Sequence, residues 1–214
     1  MKRILVFVLV ICGMTNIALA QQDARAKGVL DAMSKKYQSI PSFKAKFSQI
    51  LENDEESINE EFSGEITIKG QMFKLVMGEQ EIFNNGTTQW TYLKEVNEVN
   101  IDTYEPEDGE INPTNIYNAY KEGYKYVYLE DQQEKGRSLA IIDLIPEDKS
   151  LQFFKIRMKI DKGDNSLKSW RMFDKNGNRY EYRITAFDSK FTASNNYFEF
   201  NPAKYPGVEV IDLR

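Results

Sequence analysis

The sequence predicts a mainly β domain of the α+β class, an up-and-down antiparallel barrel or half-barrel of about eleven strands. Three observations predict it. Between residues 43 and 188, eleven segments alternate apolar and polar side chains with period two, the pattern of strands with one wet and one dry face. The segments follow one another through short connections rich in Gly, Asn and Asp, as hairpins do. Only two stretches carry helical spacing or helix-end signals.

The first twenty residues read as a secretory signal peptide. Lys2 and Arg3 give a basic start, Ile4 to Ile11 an apolar core too short to span a bilayer, and Ala18-Leu19-Ala20 a small-x-small cleavage site. Acylation of Cys12 is the rival reading, but Ile11 is bulky for the position before such a cysteine and Cys12 falls early. Cleavage after Ala20 leaves residues 21–214, a length for a single domain.

Composition narrows the chemistry of that domain. It carries no cysteine once Cys12 is removed, so disulfides, thiol nucleophiles and thiolate metal sites are out. The chain has no histidine, which excludes Ser-His-Asp and Cys-His catalysis and His-ligated zinc. Losing Lys2 and Arg3 takes the basic count from 28 to 26 against 33 acidic residues, a formal net charge of −7. An acidic domain is a poor partner for nucleic acid.

Taken in order, residues 23–40 place Ala26, Val29, Leu30, Met33 and Tyr37 at three- and four-residue spacing, the stripe of an amphipathic helix ended by Pro41. The stripe fits core packing or docking across an open sheet equally well. Strands follow at 43–51, 60–69, 72–77, 81–84, 89–94 and 98–102. Residues 52–56 form an acidic hairpin tip, and Asn84-Asn85-Gly86 supplies residues suited to a positive-φ turn. A second helix is predicted from Asn112 as N-cap and Pro113 as first helical residue to Gly123, with Ile116, Tyr117 and Tyr120 on its apolar side. Further strands span 124–132, 137–145, 153–161, 167–174 and 179–188, and Phe198, Phe200 and 208–213 read as short terminal segments.

Motifs that would carry chemistry are weak. Asp174-Lys175-Asn176-Gly177-Asn178 has oxygen ligands at alternate positions, but its glycine sits fourth and Thr185 stands at the twelfth position, so it reads as a hairpin turn and no metal site is expected. Acid pairs such as Glu60/Glu61 and Glu105/Glu107/Asp108 are loop neighbours and do not imply carboxylates held across a cleft. The chain is therefore not expected to be an enzyme, and no cofactor is expected. The 26 aromatic residues left after removal of Phe7 fill a closed barrel or line a cavity in an open one, and the pattern fits both.

Several pieces in order resemble the periplasmic outer-membrane lipoprotein carrier family LolA. These are Phe43-x-Ala45-x-Phe47-x-Gln49, Gly64-x-Ile66-x-Ile68-Lys69, Phe73-x-Leu75 and Gly86-x-Thr88-x-Trp90-x-Tyr92. Leu144-Ile145-Pro146, Leu151-Gln152-Phe153-Phe154-x-Ile156 and the closing Pro206-Gly207-Val208-Glu209-Val210-Ile211-Asp212-Leu213 continue the likeness. The resemblance implies an incomplete barrel with a helical lid over a hydrophobic cavity. It implies a monomeric periplasmic carrier that takes the acyl chains of lipoproteins from an inner-membrane ABC transporter to the outer membrane, where the acceptor stays open. With it, strand alternation places Phe47, Phe62, Ile66, Ile68, Phe73, Leu75, Trp90 and Tyr92 on the lipid-binding wall, and Leu30, Met33, Ile116 and Tyr120 beneath the lid. Well-known members have an arginine after the lysine of the second strand, associated with lid closure and cargo release; here Gly70 follows Lys69. The same shape resembles the lipid-sensing domain of periplasmic sigma-factor regulators, which bind a partner protein and usually carry a further C-terminal domain, whereas this chain stops at Arg214. A carrier of another lipid is the third reading.

Overall fold

A computed structural model describes residues 23–105 and 114–214. The signal-peptide reading, Asn112, Pro113, Glu107 and Asp108 lie outside the described residues. One helix, α1 (Ala24–Gln38), precedes six strands: β1 (Phe43–Asn53), β2 (Ile58–Lys69), β3 (Met72–Met77), β4 (Gln80–Asn84), β5 (Thr88–Leu93) and β6 (Glu98–Thr103). Then come β7 (Tyr124–Glu134), β8 (Arg137–Pro146), β9 (Phe153–Asp161), β10 (Leu167–Asp174), β11 (Arg179–Asp188) and the short β12 (Glu209–Asp212). The eleven predicted strands are present to within about two residues at each end.

All twelve strands form one sheet in the order β12-β6-β5-β4-β3-β2-β1-β11-β10-β9-β8-β7. Two runs of hairpins, β1 to β6 and β7 to β11, are joined where β1 pairs antiparallel with β11. β12 adds a parallel edge beside β6. The outermost strands β12 and β7 do not pair, so the sheet stays an open half-barrel.

That order forces two long crossings. From β6 at one side to β7 at the other edge the chain must cross the sheet, and the described part of that crossing, residues 114–123, lies over the concave face, where Ile116, Tyr117 and Tyr120 pack into the main core. After β11 it returns over the convex face, and Tyr197, Phe198, Phe200 and Tyr205 cover β2 to β5 before β12 forms. Sequence reasoning predicted a helix in the first crossing. Its described part is instead turns at 114–118 and a single 3₁₀ turn, Ala119–Lys121. Asn115 and Asn118 close consecutive i→i+3 turns through their carbonyls, in keeping with the preference of Asn for turns over helix interiors.

α1 lies on the concave face. Asp23 caps it by accepting from the Arg25 and Ala26 amides at 2.9 and 3.1 Å, and its other oxygen accepts from the β7 amide of Tyr128 at 2.9 Å. Those backbone bonds, with Ala26 foremost, hold the Asp23 carboxyl below its usual range. At the far end the Tyr37 hydroxyl accepts from the β10 amide of Leu167 at 3.1 Å, while its ring meets Phe43 and Phe187. Tied at both ends, the helix buries Ala26, Leu30 and Met33 completely. The main core is thus a sandwich of α1, the crossing segment and the concave residues of β1 to β3 and β7 to β11.

Candidate functional site

Beside α1 the core does not close. A cavity of about 200 Å³ opens between the crossing segment and β3, β2, β1, β11 and β10. β1 contributes Phe43, Ala45, Phe47 and Gln49, β2 Ile66 and Ile68, and β3 Leu75 and Met77. The opposite side is Leu167, Trp170 and Met172 from β10 and Tyr182, Ile184 and Phe187 from β11, with Tyr37, Ile116 and Tyr117 as roof.

Strict alternation alone does not produce this wall. β11 changes register against β1 between Lys46 and Phe47, which puts Ile184 and Phe187 on the same face although they are three residues apart. A second irregularity against β9, between Leu167 and Ser169, does the same for Leu167 and Trp170. Gly64 lies directly opposite Phe47, and a Cβ there would fall 2.5 Å from the Phe47 ring, so the missing side chain is what lets that ring lie across β2.

The wall is apolar and its polar groups are neutral. Burial pushes the Tyr37 phenol up to about 12 and raises those of Tyr117 and Tyr182, so all three keep their protons at neutral pH. Tyr117 stacks on Tyr37 at 5.1 Å, and Trp170 on Tyr182 at 4.8 Å. The crossing segment is fastened to α1 by polar contacts. Tyr120 donates to Asp31 at 2.6 Å, and Ser34 and Gln38 both donate to the Asn118 side chain, at 2.6 and 3.0 Å. No group of three or more His, Cys, Asp or Glu side chains among the described residues is arranged to hold a metal.

Of the residues expected on the wall, Phe47, Ile66, Ile68 and Leu75 border the cavity, and Ile116 is in its roof. Phe73 is buried in the same core but turned toward Tyr104, away from the opening. Phe62 is 44% exposed, toward the free end of the β1–β2 hairpin. Trp90 and Tyr92 require correction: they lie on the convex face. Leu75 pairs with Ile82 on the concave side, so the neighbouring pairs Phe83–Trp90 and Glu81–Tyr92 face outward. Their apolarity is explained by the returning C-terminal segment, which packs Phe200, Tyr205 and Val208 against Phe83, Tyr92 and Val99. Leu30, Met33 and Tyr120 are core beneath α1 and the crossing segment, outside the cavity lining.

Lys69 belongs to the convex face too. Its ammonium donates to the Ala193 carbonyl at 3.0 Å and the Asn195 side chain at 2.9 Å, pinning the C-terminal segment. Gly70, at φ +60, serves the turn into β3. What sequence reasoning missed is the β10–β11 half of the wall, Phe43, Ala45, Gln49 and Met77 on the other half, and Tyr37 and Tyr117 in the roof. The β10 and β11 residues were visible as apolar, but the two register shifts hide their common face.

The elements thus form a half-open barrel with a helix and a crossing segment over an apolar cavity. The chain matches the family model described as "Outer membrane lipoprotein carrier protein LolA" over residues 17–165, and it belongs to that family. No curated protein matches it. Among solved structures it resembles an uncharacterized conserved protein from Thermus thermophilus, at 12% identity over 88% of this chain and 99% of that one, with a TM-score of 0.58. A DUF1329 family protein from Desulfovibrio piger matches at 11% identity over 81% and 97%, with a TM-score of 0.50. MucB matches at 13% identity over 84% of this chain and 64% of its own, also with a TM-score of 0.50. At these identities the structural likeness speaks to the fold alone.

Proposed function

We propose that this protein is a monomeric periplasmic lipoprotein carrier with no catalytic step. In this reading, cleavage after Ala20 frees residues 21–214 as one domain. Its cavity takes lipoprotein acyl chains from an inner-membrane ABC transporter and delivers them toward the outer membrane. The observation that carries the reading is the apolar cavity of about 200 Å³ in a chain of the lipoprotein-carrier family. Hydrocarbon exposed to water costs about 0.8 kcal/mol per methylene, so an acylated protein crosses an aqueous compartment only with its chains sheltered. Phe47, Ile66, Ile68 and Leu75 supply lipid contact from one side, and Trp170, Met172 and Ile184 from the other. Entry separates the crossing segment from α1 and from the β1–β3 wall. Because Lys69 is engaged on the convex face and Gly70 has no side chain, the closing role among the described residues falls to the bonds between α1 and the crossing segment, Tyr120 to Asp31 and Ser34 and Gln38 to Asn118.

The test is to incubate the purified protein with inner-membrane vesicles holding a radiolabelled lipoprotein. A soluble complex of the two is expected. If no lipoprotein becomes soluble and no acyl chain co-purifies with the protein, the carrier reading is wrong. Recovery of a membrane-bound regulatory protein in place of the transporter would instead establish the sensing reading.

A further inference from the structure

The cavity wall is not uniformly hydrocarbon. Gln49 on β1 and Tyr182 on β11 stand directly opposite each other in the strand register, and both line the cavity. Side chains at such positions start about 5 Å apart, close enough to address one small group of a ligand. The Tyr182 ring is fixed by the stacked Trp170 on one side, 4.8 Å away and 10° from parallel, and by the tilted Phe47 at 6.2 Å. Its hydroxyl is therefore held in place before any ligand arrives. Among the described residues, neither the Gln49 amide nor the Tyr182 hydroxyl makes a hydrogen bond. By contrast, the Tyr37 hydroxyl in the same cavity is already engaged by the Leu167 amide.

Filling this cavity with plain hydrocarbon would strip water from both groups and give nothing back, a penalty folded proteins avoid. An occupant with a hydrogen-bond acceptor at that height removes the penalty. The lining also contains no Lys or Arg, so a carboxylate placed there would be an uncompensated buried charge. A neutral acceptor attached to a long chain is what remains, and an acyl ester or acyl amide carbonyl is such a group. Gln49 and Tyr182 each offer it an N–H or O–H.

Resting on the carrier reading above, we propose that Gln49 and Tyr182 donate hydrogen bonds to the ester or amide carbonyl of one acyl chain. They set the depth at which that chain sits and make the cavity selective for neutral acyl esters and amides over hydrocarbon chains and free fatty acids. Trp170 and Phe47 act as positioning residues through the Tyr182 ring.

The experiment compares methyl laurate, tetradecane and laurate at neutral pH, each competing with a fluorescent acyl-chain probe for the purified protein. Losing both hydrogen bonds to the carbonyl makes the ester bind about tenfold more weakly to the Gln49→Leu/Tyr182→Phe double variant than to the wild type. Gln49→Leu and Tyr182→Phe each cut ester affinity several-fold while leaving tetradecane affinity equal or higher, a divergence that misfolding cannot produce. Ester and tetradecane affinities that move together in both variants would overturn the proposal and leave the carrier reading standing. So would laurate binding as tightly as its ester. If none of the three binds and the probe is not taken up, the carrier reading itself falls and takes the proposal with it.

Discussion

Gly64→Ala tests how the cavity is shaped. Gly64 is not among the residues with positive φ, so alanine suits its backbone and would ordinarily gain about 0.5–1 kcal/mol in a strand. Its Cβ, however, would lie 2.5 Å from Phe47 Cζ, 2.9 Å from Cε1 and 3.0 Å from Cε2. Carbon atoms in ordinary contact sit about 3.5–4.0 Å apart, so the ring tip has to move by roughly 1 Å or more. Tyr182 already leans on the ring, and the free direction is into the cavity. Overpacking of this kind costs about 1–3 kcal/mol, which for a domain of this size lowers the melting temperature by about 2–12 °C. The same displaced ring occupies ligand space, so uptake of an acyl-chain probe weakens. The decisive measurement is a double-mutant cycle with Phe47→Leu, read by thermal melting and probe binding. In the Phe47→Leu background the clash is gone, and Gly64→Ala is expected to change sign and stabilise by about 0.5–1 kcal/mol. If Gly64→Ala leaves melting and binding unchanged, or costs as much in the Phe47→Leu background as in the wild type, the steric account is wrong.

Three further outcomes follow from the geometry. Trp170 lines the cavity and Trp90 sits on the other face, so an acyl ligand changes intrinsic tryptophan fluorescence in Trp90→Phe but not in Trp170→Phe; the reverse result would place the ligand elsewhere. Met33→Ala empties a completely buried position beneath α1 and costs about 2–5 kcal/mol in urea unfolding, whereas Phe62→Ser, at the exposed end of β2, stays within about 0.5 kcal/mol. Burial pushes the Glu181 carboxyl up, but the hydrogen bonds from Arg183 and Arg171 outweigh it and the net shift is downward. The stability Glu181 contributes is full above the unfolded value near 4.5 and is lost as pH falls through the lower folded value, so Glu181→Gln should flatten the acid limb of urea midpoint against pH. An unchanged acid limb would rule Glu181 out as its source.

Much of the architecture was legible in the residues because strand formation is recorded locally. The period-two runs gave all eleven antiparallel strands, and Asn84-Asn85-Gly86 gave its turn, with Gly86 at φ +95 and the Asn84 and Asn85 side chains accepting from the amides that follow. The stripe Ala26, Leu30, Met33 and Tyr37 gave α1 for the same reason. The helix expected after Pro113 failed in its described part because turn-forming Asn115 and Asn118 count for more than a favourable start.

By itself, then, the sequence determined that strands would alternate, where most of them turn, and that one face of each would be dry. It did not determine which dry face looks inward. Trp90 and Tyr92 alternate as faithfully as Ile66 and Ile68, yet a C-terminal segment more than a hundred residues further along the chain covers them from outside. The cavity is equally non-local: Phe47 reaches it because Gly64 stands opposite, Trp170 and Phe187 because register shifts turn them, and Tyr117 because the chain must cross from β6 to β7. Local pattern fixes the period of a strand, whereas the side it buries depends on what the rest of the chain lays against it, and only the tertiary structure decides that.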